Sequence, residues 1–278
     1  MDVAGSARVA LAAMWIAGIA SLGALDAGGT TSVKAKGRQG GRGAGPFDPS
    51  RAASSDVFRA RDRQMPVPRI KALPNFAGVA VRDAADVDVH VVVATSGNVE
   101  HAHVAKPVAD RFVLEAALLD ASQRFTFTPA TRPNESPIAT LAIVRWSVTP
   151  SAAGQPPLAT PAVIAAPEVI PPALDPTKLP ASAYRAGAAG TRNPTLIVRV
   201  SPDYTSEAMS RNVVGGVTLD VLVQADGTVG AAHVMRSLDP ELDRQALLAA
   251  NYWLFRPASL GGRDIAMVVT LQLEFRLR

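Results

Sequence analysis

The chain has 278 residues, of which 48% are hydrophobic and 19% are charged, so it can bury a core and is not disordered throughout. It contains no cysteine, which excludes disulfide bonds, thiolate zinc sites and cysteine nucleophiles. The formal net charge is +4, and the basic excess lies in a Gly-rich segment rather than on a folded patch, which argues against a nucleic-acid-binding protein.

Residues 1–27 are interpreted as a signal peptide or a membrane anchor. Residues 9–25 carry no charge, and this length is at the lower limit for a spanning helix and slightly above that of a signal-peptide core. Either interpretation exports the residues that follow. Lys34 and Lys36, which follow the apolar run, conflict with export of this side, because positive charges tend to stay in the cytoplasm.

Two stretches have the composition of tethers rather than of a core. Residues 28–73 hold ten lysines and arginines against three aspartates, which favours a solvated arm near an anionic surface. Residues 149–193 are rich in proline, and residues 150–180 hold nine prolines and only three charged side chains, which favours an extended polyproline conformation. We expect this second stretch to be an inert, semi-rigid linker rather than a docking ligand.

An internal repeat occupies most of the remaining chain. Residues 87–93 recur as residues 217–223 at an offset of 130, and residues 102–104 recur as 232–234. The match resumes at an offset of 128, where residues 125–130 correspond to residues 253–258. Two copies cannot form a solenoid, so the pattern predicts a tandem duplication with domains at 74–148 and 194–278.

The start of each copy predicts a β-hairpin. In the second copy, apolar residues alternate with others over residues 217–223, which is typical of a strand with one covered face. Asp226 and Gly227 then predict a tight primed turn, in which both central residues have positive φ. The return strand breaks its period of two, which predicts a bulge at Gly230 and Ala231.

A helix and a closing strand complete each copy. Asp239 is a suitable N-cap with Pro240 at the first helical position. We expect an α+β fold made of two small domains, each a three-stranded antiparallel sheet with a helix on one face, joined by the Pro-rich linker. The predicted apolar stripe of the helix is Leu242, Ala246, Ala249 and Trp253 in the second copy, and Leu114, Leu118, Ala121 and Phe125 in the first.

The ordered motifs of the second copy resemble the TonB C-terminal domain. These motifs are residues 202–208, a Gly-Gly-Val opening of the strand at 215–217, residues 225–229, residues 253–258 and the closing residues 275–277. The resemblance covers 194–278, and through the repeat it extends more weakly to 74–148. The expected fold is therefore two TonB-C-like domains, the first of them a degenerate copy.

The resemblance implies a role in the bacterial envelope. TonB proteins couple an inner-membrane anchor to the ExbB/ExbD complex and bind outer-membrane transporters, whose short TonB box adds as a strand beside the last strand of the domain. We accordingly expect an inner-membrane-anchored or periplasmic adaptor. Residues 9–25 contain no histidine, which family anchors use for coupling, and Thr205 replaces a usual proline. The binding fold therefore carries over better than energy transduction.

The last strand, at about residues 267–276, is the predicted docking edge. An open sheet leaves unpaired N–H and C=O groups that an extended peptide can join, with polar outward side chains suited to a reversible contact. The alternative is that this edge pairs with a second copy, as a homodimer, or with the first domain. The candidate partner-binding residues are Tyr204, Val268, Thr270, Gln272, Glu274 and Arg276.

Two other classes of function remain open in the sequence. One is an exported structural or self-associating module without energy transduction. The other is a metal-binding module, because a two-residue turn at Ser96 and Gly97 would place His90 opposite His103, with His101 near the bulge. No carboxylate or cysteine completes this set at a fixed spacing, so we expect no metal and no cofactor. An enzyme is not expected either, because nucleophile motifs and phosphate loops are missing from the sequence.

Overall fold

The structure is a computed structural model, and residues 1–56, which include the predicted signal or anchor and most of the basic tether, lie outside the part that it describes. Within the described part, no helix has the length and apolar character needed to cross a membrane. The described residues are 57–59, 65–77, 79, 81–132, 136–152, 155–175, 177–180 and 183–277.

The secondary structure is mixed α and β, with strands predominating. The first repeat and the residues before it contain β1 (Phe58–Arg59), β2 (Val67–Ile70), β3 (Ala85–Val93), β4 (Val99–Val104), α1 (Phe112–Gln123), β5 (Thr126–Thr128) and β6 (Thr140–Thr149). The Pro-rich segment contains β7 (Leu158–Ile164), β8 (Ala183–Arg185) and β9 (Thr191–Arg192). The second repeat contains β10 (Thr195–Val198), α2 (Ser206–Ser210), β11 (Gly215–Val223), β12 (Val229–Arg236), α3 (Pro240–Ala250), β13 (Leu254–Arg256), β14 (Ala258–Leu260) and β15 (Arg263–Phe275).

The duplication is evident in the topology. The order β3, β4, α1, β5, β6 recurs as β11, β12, α3, β13, β15, and β2 pairs with β5 as β10 pairs with β13. The same backbone hydrogen bond closes both units, because the N–H of Phe127 donates to Gly97 at 2.8 Å and that of Phe255 donates to Gly227 at 2.9 Å. The repeated sequence pattern therefore corresponds to one repeated fold unit.

The hairpin turns differ from the primed turns expected. In the second repeat, Gln224 and Thr228 close a three-residue loop, since the N–H of Gln224 donates to the Thr228 carbonyl at 2.8 Å. Only Gly227 has positive φ there, at +85°. Asp226 keeps negative φ because its carboxylate accepts hydrogen bonds from the backbone N–H and the hydroxyl of Thr228, at 2.9 and 2.6 Å. The side chain therefore favours a type I turn with a glycine bulge over the primed turn.

The predicted bulge and helix start are confirmed. Gly230 is the extra residue between the pairs Val223↔Val229 and Leu222↔Ala231. The Asp239 carboxylate accepts hydrogen bonds from two backbone N–H groups of the first turn of α3, and Pro240 is its first residue. All eight residues of the two predicted apolar stripes are buried.

Both sheets are larger than the predicted three strands. The first has five strands in the order β1-β6-β3-β4 with β7 beside β6, and the second has six in the order β12-β11-β15-β14-β9 with β8 beside β15. Apart from β14, which belongs to the second repeat, the added strands come from the segments predicted as tether and linker. The expectation that residues 149–193 form an inert linker is therefore wrong, because β7, β8 and β9 of this segment pair with the two sheets. Pro161 is compatible with β7 because this strand lies at a sheet edge, where a missing N–H costs no ladder bond.

The two repeats are not separate domains in the structure. Val92, Leu141 and Ile143 on the first sheet belong to the same buried hydrophobic cluster as Trp253 and Phe255. A second cluster, which includes Leu118, Phe125 and Trp146, fills the space between the first sheet and α1. The helix α3 of the second repeat therefore shares its core with both sheets, which the sequence pattern of a single repeat does not indicate.

We predict that Trp253→Ala destabilises the whole described fold. Trp253 is 2% exposed, and its indole N–H donates to the Val200 carbonyl at 2.7 Å, so truncation leaves both a cavity and an unpaired acceptor. The expected loss is about 3–5 kcal/mol in the free energy of unfolding, measured by denaturant titration. Phe112→Ala is the control, because Phe112 is 54% exposed and its truncation should cost less than about 1 kcal/mol. Equal losses would contradict the core assignment.

We also predict that Gly227 cannot be replaced by alanine without a large loss. A Cβ at this position lies 2.0 Å from the carbonyl oxygen of Phe255, a backbone atom that cannot move aside. Gly187 is a matched control, because it has the same φ of +85° and open space around it. Gly187→Ala reports the backbone cost alone, and Gly227→Ala should lower the unfolding free energy by about 1–3 kcal/mol more. Similar melting temperatures for the two variants would refute the close approach.

Candidate functional site

The outer side of β15 is open over its second half. On its inner side, β11 pairs with it from Gly215↔Phe275 to Val223↔Met267. On its outer side, β14 and β8 pair with it only as far as Val268. Among the described residues, no strand pairs with residues 269–275 on this outer side. The sheet therefore presents an open edge of the kind that strand addition requires.

The direction of the backbone groups on this edge follows from one hydrogen bond. The N–H of Ala186 donates to the carbonyl of Val268 at 3.1 Å, so the polar groups of Val268 point outward. In a strand, these groups alternate sides from one residue to the next. Thr270, Gln272 and Glu274 therefore present their N–H and C=O groups to the open edge. An added strand would find donors and acceptors at every second residue.

The side chains of these residues give the edge a polar face. Thr270 donates from its hydroxyl to the carboxylate of Asp220 at 2.6 Å, and Asp220 is almost fully buried. The Gln272 side chain lies across Gly216 on the neighbouring strand, where a Cβ would come within 2.8 Å of its amide nitrogen. Glu274 forms an ion pair with Arg276. The exposed side chains therefore surround the edge with hydrogen-bonding groups.

Tyr204 supports the end of this strand rather than its open side. Its hydroxyl donates to the carbonyl of Val213, and its ring meets that of Phe275 edge-on, with centroids 5.8 Å apart. The ring is half-buried against the core. Tyr204 thus holds the last residue of β15 in place, which keeps the edge extended.

Val268 does not lie on the open edge. It is 3% exposed and packs with Leu174 and Leu222 on the sheet face opposite α3. Its backbone carbonyl is taken by Ala186 next to β8. The alternating pattern predicted an outward side chain here, and that is correct, but the Pro-rich segment covers this end of the outward face.

Asp220 is the functional-site residue that sequence reasoning missed. It lies opposite His233 on β12 and opposite Thr270 on β15. The hydrogen bond goes to Thr270, and a guanidinium nitrogen of Arg185 lies 3.9 Å from the second carboxylate oxygen. Antiparallel pairing of β11 with β15 places Asp220 opposite Thr270. This register is the only signal from which the sequence could have indicated their contact.

The histidines of the first repeat form a pair. His90 lies directly opposite His103, with ring centroids 4.9 Å apart and planes nearly perpendicular, whereas His101 lies opposite Val92 and is exposed. The register is as predicted although the turn has three residues. Among the described residues, no group of three or more histidines, aspartates or glutamates is placed to hold a metal ion.

Burial sets the protonation of this pair. Desolvation lowers the pKa of His90 to about 4, against the opposing effect of Asp88, and lowers the pKa of His103 to about 3. Both imidazoles are therefore neutral near pH 7. Tyr252 of the second repeat meets the ring of His90 at 5.4 Å, and burial raises the pKa of its hydroxyl to about 12.

Part of the chain matches a known protein family. The family model for the Gram-negative bacterial TonB protein C-terminal matches residues 200–277. Most of the second repeat therefore matches the TonB C-terminal domain family.

One solved structure similar to this chain is the solution NMR structure of the Pseudomonas aeruginosa TonB C-terminal domain, at 22% sequence identity. The match covers 34% of this chain and 93% of that one, with a TM-score of 0.28. No curated protein matches the chain. The strand β15, with its open edge, is the last strand of the matched region.

The histidine pair predicts an acid-sensitive stability. An unfolded histidine titrates near 6.5, well above the folded pKa values of about 4 and 3, so the unfolded state binds more protons between these values. The stabilising contribution is therefore complete above pH 6.5 and is lost as the pH falls toward 4. Chemical denaturation at several pH values should show a shallower decline for His103→Gln than for wild type. The exposed His101→Gln is the control and should keep the wild-type slope; identical slopes for all three proteins would contradict the assignment.

Proposed function

We propose that this protein is a non-catalytic envelope adaptor that binds an extended peptide of an outer-membrane transporter by strand addition to β15. The observation that carries the proposal is the open edge at residues 269–275, with three outward-facing backbone positions. TonB C-terminal domains interact with outer-membrane transporters in general, which supports this class of partner. The partner-binding residues are Thr270, Gln272, Glu274 and Arg276, with Tyr204 as a positioning residue.

The polar character of the edge supports a reversible contact. The side chains of Thr270, Gln272 and Glu274 are exposed, and none adds an apolar surface that would favour a permanent interface. Main-chain hydrogen bonds would supply most of the affinity, and the side chains on alternate positions would supply selectivity.

The proposal includes a location and an energy source. TonB-family proteins are envelope-associated and face the periplasm, and we propose the same for this chain, tethered by residues 1–27 to the inner membrane or released from it by signal cleavage. We further propose that an ExbB/ExbD-like complex is the partner at the membrane. Residues 9–25 contain no histidine, so coupling to the proton gradient would have to use other groups of the anchor.

Replacement of Gln272 by proline tests the edge. Proline removes the outward N–H while leaving the ladder to β11 intact, so Gln272→Pro should weaken binding of a TonB-box peptide by about tenfold or more. Gln272→Ala keeps the donor and should bind within about twofold of wild type. Binding is measured by isothermal titration with the full-length chain, and a thermal melt accompanies each variant.

The outcomes separate four accounts. Loss of binding by the proline variant alone supports backbone pairing at β15. Equal loss by the alanine and proline variants indicates side-chain recognition instead. Wild-type binding by a folded Gln272→Pro protein removes β15 as the docking edge. A change in oligomeric state in the proline variant without any peptide favours self-association through this edge.

A further inference from the structure

The chain fills one of its own sheet edges with a short piece of the Pro-rich segment. The N–H of Ala232 on β12 donates to the carbonyl of Pro172, and the N–H of Leu174 donates to the carbonyl of Ala232, both at 2.9 Å. Ala173 thus forms a parallel bridge with Ala232. Leu174 is buried against Leu222, so the added residues are anchored by a side chain as well as by the backbone.

The corresponding edge in the first repeat is β4. Ala102 lies opposite Val91 as Ala232 lies opposite Val221, and both strands carry the same bulge. The N–H of Ala105 donates to Asp88 on β3 at 2.9 Å, so alternation turns the backbone groups of Ala102 and Val104 outward. In the part of the chain that the structure describes, no strand or isolated bridge pairs with this side of β4.

A cleft of about 790 Å³ opens beside the end of β4. One wall comes from the first repeat and includes His103, Ala105 and Val108; the other includes Val169 and Ile170 of the Pro-rich segment. Val108, Val169 and Ile170 are exposed, although they are aliphatic. A volume of this size lies in the range of small-ligand clefts, and its apolar rim suits aliphatic side chains.

The acidic groups of the cleft are partnered within the protein. Asp88 forms an ion pair with Arg145 at 2.7 Å, and Asp86 accepts a hydrogen bond from Ser147. The Glu115 carboxylate accepts a hydrogen bond from the backbone of Val108 at 3.0 Å. The cleft therefore offers no unpaired carboxylate to a basic ligand, and its two basic side chains, Lys106 and Arg111, lie beyond the end of β4.

We propose that the outer edge of β4 is a second peptide-binding site, which takes an extended, uncharged, proline-containing segment of a partner protein in the parallel manner in which β12 takes residues 172–174. The observation behind it is the equivalence of Ala102 and Ala232. This site is separate from the β15 edge, since it lies on the other sheet and does not depend on the TonB-box interaction.

The geometry defines the ligand further. The residue before the bridging position supplies only a carbonyl, so proline is allowed there, as at Pro172. The residue after it must donate an N–H, so proline is excluded there, and Leu174 holds that place in the chain's own example. A second copy of this chain is a poorer occupant, because its own segment would first have to leave β12 and expose Leu174.

The test uses a synthetic peptide with blocked termini and the sequence of residues 169–174, Val-Ile-Pro-Pro-Ala-Leu, added to the full-length chain. Amide hydrogen exchange should slow at Ala102 and Val104. The matched control peptide carries Leu174→Pro, which keeps the length and apolar character but removes the donor, and it should bind at least about tenfold more weakly.

Protein variants locate the site. Ala102→Pro should reduce binding of the peptide by about tenfold or more, whereas Gln272→Pro on β15 should leave it unchanged. Ala232→Pro should lower the melting temperature, because it breaks the internal bond to Pro172. The control peptide requires no change in the protein, so the test holds even if Ala102→Pro fails to fold.

Several results would overturn the proposal. One is equal binding of the two peptides, and another is the absence of slowed exchange at Ala102 and Val104 at millimolar peptide. Slowed hydrogen exchange only on β12 would mean that the peptide displaces the internal segment at residues 172–174. Protection of Ala102 that rises with protein concentration and without peptide would mean that a second copy occupies β4.

Discussion

The backbone groups at the edges of the two sheets set the main constraint on this structure. Each edge strand carries a row of N–H and C=O groups that require partners when water is excluded. The chain supplies partners for most of these rows itself, through β7 on β6, β8 on β15 and residues 172–174 on β12. In the described part, the second half of β15 and the outer side of β4 are left without a strand. The proposed binding sites are the places where this internal coverage ends.

The Pro-rich segment is suited to this covering role by its chemistry. A proline keeps its carbonyl as an acceptor but has no N–H, so it joins a neighbour without extending the sheet further. Pro172 accepts from Ala232, and Pro167 accepts from the hydroxyl of Tyr252 at 2.5 Å. The segment therefore satisfies groups on the second repeat while offering few donors of its own. The segment also contacts the place where the repeats meet, because the Tyr252 ring that it hydrogen-bonds through Pro167 packs beside His90 of the first sheet.

The two repeats have diverged on the faces of their sheets that lie opposite their own helices. Ile143 of the first repeat pairs with His90 where Thr270 of the second pairs with Asp220. The isoleucine is buried in the core shared with α3, whereas Thr270 is exposed and hydrogen-bonded to Asp220. The first sheet is consequently covered on both faces and acts as a support. The second keeps a polar face next to its open edge, where a reversible contact can form.

The sequence by itself determined the features that depend on near neighbours in the chain. The cap at Asp239, the helix stripe ending at Trp253, the bulge at Gly230 and the register that pairs His90 with His103 all follow from local periodicity and side-chain chemistry. The polar outward row of Thr270, Gln272 and Glu274 was predictable for the same reason, since a strand alternates its side chains.

Only the tertiary structure decided which edges remain open and which residues lie beneath other segments. Val268 alternates correctly but is covered by Leu174, more than 90 residues earlier in the chain, and no local pattern specifies that contact. No local pattern specifies the pairing of β7 with β6 either, or the core that α3 shares with the first sheet. These contacts form because apolar surface and unpaired backbone groups on separate segments become buried together, and that depends on the packing of the whole fold.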